Sequence, residues 1–161
     1  MKKNKGNEFV CATEKRDYPN VILAHGGGGK LTQDLIKEIF LPNFQNKFLS
    51  PLTDSAVLDL DKIKLAFTTD GYVVKPIFFP GGDIGKLSIF GTVNDLAVSG
   101  AKPLFVSASF IIEEGFPMND LKKIAQSMKS AVEEANIYLV TGDTKVVEKG
   151  KGDGIFISTS G

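Results

Sequence analysis

The stretch "FTTDGYVVKPIFFPGGDIGKLSIFGTVNDLAVSGAKP", residues 67–103, carries most of what the chain discloses about its fold. Its second half is a run in which Ile84, Leu87, Phe90, Val93 and Ala97 recur at spacings of three and four. That period predicts a helix, ended near Gly100 and Pro103. Just upstream, "KLAFTTDGYVV" reads as a strand ending in Thr-Thr-Asp-Gly, with a second short strand from Tyr72. Just downstream, "LFVSASFII" alternates, with Leu104, Val106, Ala108, Phe110 and Ile112 on one side, as in a sheet strand.

Working outward, an "EEGFPMN" turn leads to a second helix, whose apolar stripe is Leu121, Ile124, Ala125, Met128, Val132 and Ala135. "IYLVTGD" then reads as a strand with a Gly-Asp tip, and "KVVEKGKGDGIFISTSG" as one or two final strands around a glycine-rich hairpin. Toward the N-terminus, "LTQDLIKEIFLPNF" reads as a helix with Leu31, Leu35, Ile39 and Phe40 on one face and Pro42 as its stop. "VILA" (21–24) feeds the glycines before it, and residues 1–20 read as a polar, lysine-rich, flexible arm. Strands alternating with helices predict an α/β (α+β) domain over residues 21–161, a mixed β-sheet with helices packed on one face. The chain ends at Gly161 directly after an apparent strand, which points to a piece of a longer protein.

Composition narrows the function classes. The 161 residues are 42% hydrophobic and 24% charged, ordinary for a globular domain with a sizeable core. Nineteen basic and nineteen acidic side chains cancel, which argues against a nucleic-acid footprint; Lys2, Lys3 and Lys5 read as a solvated terminus. A single cysteine, Cys11, excludes an internal disulfide framework and suits a reducing compartment. The basic start leads into polar residues, unlike a signal peptide, and no apolar run has the length of a membrane helix. The expectation is a cytoplasmic protein.

Two features could carry chemistry. "HGGGGK" (25–30) invites comparison with phosphate-binding loops. A Walker A loop fails at two positions, Ala24 and Leu31, and a dinucleotide fingerprint fails at Leu31. The physics of an anion site survives, because glycines let backbone amides approach phosphate and a helix N-terminus follows. The alternative is a hinge. The second feature is a set of aspartates, Asp54, Asp70, Asp83, Asp95 and Asp143, mostly beside small or hydroxyl residues at the ends of apolar elements. Each alone is an ordinary turn former or cap. Asp95 is the exception, since it sits with Asn94 inside an apolar helix, where an unpaired carboxylate is costly unless a donor or cation meets it. Hard oxygen ligands suit magnesium, especially with phosphates completing the shell. One histidine and one cysteine give no zinc constellation, and no serine sits in a nucleophile elbow.

The motif set "AHGGGGKLTQDLI", the 67–103 stretch, "FIIEEGFP" and "VTGDTKVV" resembles the N-terminal half of the HypE family of hydrogenase maturation factors. That family is similar to aminoimidazole ribonucleotide synthetase (PurM), selenophosphate synthetase and thiamine-monophosphate kinase. The resemblance spans roughly residues 21–161 and implies a PurM-like N-terminal ATP-binding domain, its sheet pairing with a second copy into a β-barrel across a homodimer. Carried over by position, it implies that Asp54, Asp70 and Asp95 bind magnesium and phosphate, with Thr69 and Asn94 beside them. Gly26, Gly27, Gly28 and Gly29 would close over the phosphates, and Gly142, Asp143 and Thr144 would approach the nucleotide. Asp95 and Lys30 are the implied catalytic residues, Lys30 by alignment with a lysine of the selenophosphate branch. The implied reaction is ATP-dependent dehydration of a carbamoyl group on a C-terminal cysteine to thiocyanate, for the cyanide ligands of nickel–iron hydrogenase. The implied partners are the carbamoyltransferase HypF and the HypC–HypD complex, with no nucleic acid and no membrane. The family's cysteine-bearing tail and C-terminal domain have no counterpart here, and Cys11 is at the wrong end to replace that cysteine. Two alternatives stay open: another ATP-dependent enzyme of the superfamily, or a dimerisation and assembly module. A selenide enzyme would carry cysteine or selenocysteine in the glycine loop, which here holds only glycines.

Overall fold

The computed structural model describes residues 18–161, so Cys11 and most of the expected arm lie outside the described residues. The described residues divide into two compact units, one ending at Gln45 and the other Asn46–Gly161.

In the first unit a short turn, Leu23–Gly26, leads through the glycines into helix α1 (Lys30–Leu35). A wider π-turn, Ile36–Phe40, follows, and then α2 (Leu41–Phe44). Pro42 therefore does not stop the helix where the sequence predicts. It falls in the first turn of α2, where a missing amide costs nothing, and the widened turn before it makes room for the ring. The helix ends at Gln45, whose ψ of 128° leaves the helical region.

The second unit is built on a four-stranded sheet in the order β3-β8-β6-β7, comprising β3 (Thr69–Tyr72), β6 (Phe105–Glu113), β7 (Tyr138–Val147) and β8 (Ile155–Ser160). β1 (Ala56–Leu60) and β2 (Ile63–Phe67) form a separate hairpin, and β4 (Phe78–Phe79) pairs with β5 (Gly82–Asp83). The β1–β2 hairpin is a signal left unread in the sequence. Asp59 faces Lys64 across it, and Asp61 at a φ of 50° makes the tight turn. The Thr-Thr-Asp-Gly segment is not a strand end either, because the break falls at Thr68 and Thr69–Tyr72 pairs antiparallel with β8.

Helices α3 (Ile84–Val98) and α4 (Met118–Glu134) cover one face of the sheet. As predicted, Val106, Ala108 and Ile112 of β6 are buried on one side, joined there by Ile155 and Ile157 of β8. Ile84 and Ile89 of α3 and Ile124 and Ala131 of α4 meet them at 0% exposure. The α4 stripe differs from the predicted one at one place: Ala125 is exposed and Ala131 takes the core position, giving Leu121, Ile124, Met128, Ala131, Val132 and Ala135. Both alanines suit the composition of the stripe, but only Ala131 keeps the alternating three-and-four spacing.

α4 is the crossover between β6 and β7, which run parallel as such a connection requires. Gly142 and Asp143 sit within β7 and are not its tip. The glycine-rich segment 148–154 is not a hairpin, because β7 and β8 both pair with β6 and not with each other. Glu113, at the end of β6, holds that segment by accepting from the amides of Gly150 at 2.5 Å and Gly154 at 3.0 Å.

Candidate functional site

Three of the predicted aspartates converge at one end of α3. Asp54 precedes β1, Asp70 lies on β3 and Asp95 is in the last turns of α3. The buried hydroxyl of Thr68 links two of them, donating to the Asp54 carbonyl at 2.8 Å and lying 3.3 Å from Asp95 Oδ2. Burial, the negative charge and proximity of Asp70, and the more distant charge of Asp54 hold the Asp95 carboxyl above its ordinary range, against the Thr68 hydroxyl, which lowers it. Asp95 is half-buried and not fully enclosed as its helix position suggests, while Asp54 is exposed. Ser99, one turn on, donates to the Asp95 carbonyl at 2.9 Å and meets Ser55 at 2.5 Å, which fastens the end of α3 to the segment carrying Asp54.

Asp70 is fixed from two sides. Ser158 donates to its carbonyl at 2.8 Å and the Tyr72 hydroxyl donates to its Oδ2 at 2.9 Å. Behind Tyr72 runs a seam of buried hydroxyls. Thr92 lies 3.3 Å from Tyr72 and 2.6 Å from Thr159, which donates to the Ser88 carbonyl at 2.9 Å. Carboxylate and carbonyl accept only, so the Tyr72 and Thr159 protons are committed outward. The single Thr92 proton then serves one neighbour at a time, and the shorter contact favours Thr159. Burial is the main reason the Tyr72 phenol is pushed up to about 12, so it stays a protonated donor.

The Tyr72 hydroxyl reaches α3 at Gly91, where a Cβ would stand 2.2 Å from the phenolic oxygen. Tyr72, Thr68, Thr92 and Thr159 were not among the sequence candidates. The run of hydroxyl residues Ser158, Thr159 and Ser160 at the end of β8 is the trace of one of them in the sequence.

The other candidates are distributed as follows. Thr69 is exposed beside the trio, accepting from Ser160 at 2.9 Å, and Asn94 is exposed on α3 next to Asp95. Asp83 is a helix cap, accepting from the amides of Gly85 at 2.7 Å and Lys86 at 3.1 Å. Gly142, Asp143 and Thr144 lie on the exposed strand β7. Asp70, Thr159, Ala108 and Gly142 form one register row across the sheet, so three strand steps, about 14 Å, separate Gly142 from Asp70 within a single chain. Gly142 is required where it stands, since a Cβ would meet the Ala108 carbonyl at 2.6 Å. Asp143 pairs with Lys145 at 3.4 Å. Gly26, Gly27, Gly28, Gly29 and Lys30 belong to the first unit. There His25 Nδ1 accepts from the Ile22 amide at 3.0 Å and Gly28 takes a left-handed φ of 73°.

What can the trio hold? Among the described residues no cation pairs with Asp54, Asp70 or Asp95, so their mutual repulsion is uncompensated. Nor, among those residues, do three acidic, histidine or cysteine side chains close a metal cage by themselves. That donor set suits a hard divalent cation such as magnesium, which keeps waters and phosphate oxygens alongside one or two carboxylates. Asp70 and Asp95 are the residues that would hold it.

Comparison with known proteins agrees with this architecture. The family model for AIR synthase related protein, N-terminal domain, matches residues 52–161. The carbamoyl dehydratase HypE of Bradyrhizobium diazoefficiens is 55% identical over 141 residues, covering 88% of this chain and 41% of that protein. The chain thus spans about two fifths of the length of that relative. A crystal structure of a HypE–HypF complex superposes with a TM-score of 0.73 at 56% identity, over 78% of this chain and 40% of that one. A structure of the hydrogenase maturation protein HypE in complex with ATP does so at 0.61 and 48% identity, over 88% of this chain and 42% of that one. No described helix is long and apolar enough to cross a membrane. With its mixed sheet, helices on one face and family match from Pro51's neighbour Leu52 to Gly161, the chain belongs to the AIR synthase-related N-terminal domain family.

Proposed function

We propose that this chain is the magnesium-ATP-binding and dimerisation half of a HypE-like carbamoyl dehydratase. The observation that carries the reading is the convergence of Asp54, Asp70 and Asp95 at one end of α3, uncompensated among the described residues, in a chain about half identical to carbamoyl dehydratases. ATP binding is supported by the HypE structure that holds ATP and superposes on most of this chain.

In this reading the full-length protein converts a cysteine-bound carbamoyl group and ATP into a thiocyanate, ADP and phosphate, the carbamoyl oxygen leaving with the phosphate. Magnesium, when bound, supplies positive charge against the transferring phosphoryl group. Asp70 and Asp95 orient that charge, Thr68 and Tyr72 keep the two carboxylates in place, and Thr69 and Asn94 offer neutral hydrogen bonds at the rim. By the same resemblance, Gly26–Gly29 and Lys30 of the first unit are proposed phosphate ligands, the glycines through backbone amides and Lys30 as a point charge. Gly142, Asp143 and Thr144 reach the nucleotide from β7 of the second copy, which overcomes the three-strand separation within one chain. The partner supplying the carbamoyl group is a HypF-like carbamoyltransferase, in keeping with the HypE–HypF complex, and a HypC–HypD-type complex receives the product.

The test is a side-by-side titration of ATP with magnesium into this piece and the full-length chain, with Asp95→Asn in the latter. The variant should lose ATP hydrolysis by at least a hundredfold, on the order of removing one main electrostatic stabiliser, and remain dimeric by sizing. Wild-type turnover in that variant would remove Asp95 from the site.

A further inference from the structure

We propose that Tyr72 is the positioning residue of the acidic site, its hydroxyl holding Asp70 by Oδ2 so that the second carboxylate oxygen is presented, with Asp95, to one divalent cation. The inference rests on the magnesium-nucleotide reading above and assigns a role to a residue outside the carboxylates themselves.

Three independent features converge on it. The first is the contact, a phenol donating to Asp70 Oδ2 at 2.9 Å from two residues along the same strand. Both side chains point to the helix-covered face, so the pair is set by the strand repeat itself. The second is the room made for it. The ring packs against the buried core, across the strand pair from Ile157, and the hydroxyl enters a notch in α3 that exists only because residue 91 is glycine. A phenylalanine would fill the apolar part of that space equally well, and a buried hydroxyl is costly unless it is used. The hydroxyl is therefore explained by its partner. The third is the support behind it, the Thr92–Thr159–Ser88 seam, which locks the notch from the sheet side. The Ser158 bond to the Asp70 carbonyl fixes the main chain at the same residue.

A carboxylate on a half-exposed strand otherwise loses rotamer freedom when it takes a ligand. Fixing it beforehand removes that cost from binding. Ligand-orienting partners of this kind typically change metal affinity by about 10–100-fold.

The experiment uses the full-length protein and Mn2+ alone, followed by loss of the free-ion electron paramagnetic resonance signal, with thermal unfolding run in parallel. Tyr72→Phe should weaken Mn2+ binding by about tenfold, at the lower end of that range. Ile89→Val trims a fully buried apolar side chain of the same helix, outside the hydroxyl seam and the carboxylates. It should lower the unfolding temperature and leave Mn2+ affinity at the wild-type value. Wild-type affinity in Tyr72→Phe overturns the proposal, as does an equal loss in both variants, which would reduce the effect of Tyr72 to one on stability. Asp70→Asn separates the two levels. If it binds Mn2+ like the wild type, the cation site itself is not at Asp70 and the reading beneath the proposal falls. If it loses binding while Tyr72→Phe does not, only the positioning role falls.

Discussion

Gly91 carries no side chain, yet it decides whether Tyr72 can reach its place. A methyl group there would stand 2.2 Å from the phenolic oxygen, well inside contact distance. Gly91→Ala should therefore push the ring out of its notch and destabilise the fold by about 1–3 kcal/mol, the usual range for overpacking. A lowered urea midpoint with unchanged slope would check it. Unaltered stability would mean that the ring has room elsewhere. At this scale the sequence was informative about charge and silent about hydroxyls. Asp95 was legible because a carboxylate inside an apolar helix is expensive to leave unpaired, whereas Asp54 and Asp70, each an ordinary turn former or cap by itself, were singled out by the family resemblance. Thr68, Thr92 and Thr159 were not legible, because threonine suits a strand or a helix surface on its own account, and only the pairing of β3 with β8 under α3 turns them inward. Asp83, beside small neighbours, is a cap because its position precedes a helix, while Asp95, the exception inside an apolar helix, lies in the last turns of that helix among the other two carboxylates.

At the scale of elements, periodicity read β6 and α4 well, since each has one face in the core and a repeat long enough to register. It found α3 as a helix but not its buried face, because small and apolar residues surround that helix. The buried face is Ile84, Gly85, Ser88, Ile89, Thr92 and Leu96, while Leu87 and Ala97 are exposed. β7 resisted, because almost all of it is exposed in the single chain and its glycine marks a close approach to β6 instead of an end. The 148–154 segment was misread for a related reason. Glycines signal a turn but not which strands it joins, and here it crosses the end of β6 under the clasp of Glu113. That clasp gives a pH prediction. The Gly150 and Gly154 amides hold the Glu113 carboxyl below its ordinary range. A lowered folded value means stability that is present above the unfolded pKa and lost as pH falls through the folded one. Urea midpoints of Glu113→Gln should thus lie below the wild type at neutral pH, with the gap closing in acid once both carry an uncharged side chain. A gap independent of pH would assign the clasp to packing.

For the second unit as a whole, the most informative surface is the apolar one left open. Ile63, Leu65 and Phe67 of β2, Leu104, Phe105 and Val140 line a cavity of about 640 Å3, and all six are exposed. β7 beside it is an edge strand with Tyr138 at 70% exposure and Val146 at 67%. Exposed apolar surface next to an unpaired edge is what a second copy would cover in the proposed dimer. Phe105→Asp should convert the full-length dimer to half its mass on sizing, and by the proposed sharing of the site should lower ATP affinity with it. A dimer that survives the change would place the interface elsewhere. Sequence by itself determined the class of the fold, the helices and strands with one buried face, the family resemblance and the aspartates, because each rests on local period or on residue chemistry that holds in any context. Tertiary structure alone decided which strands neighbour one another and which hydroxyls turn inward. It also decided that Tyr72, the buried threonines behind it and Gly91 become the support of Asp70, because strand order and close approach depend on residues far apart in the chain.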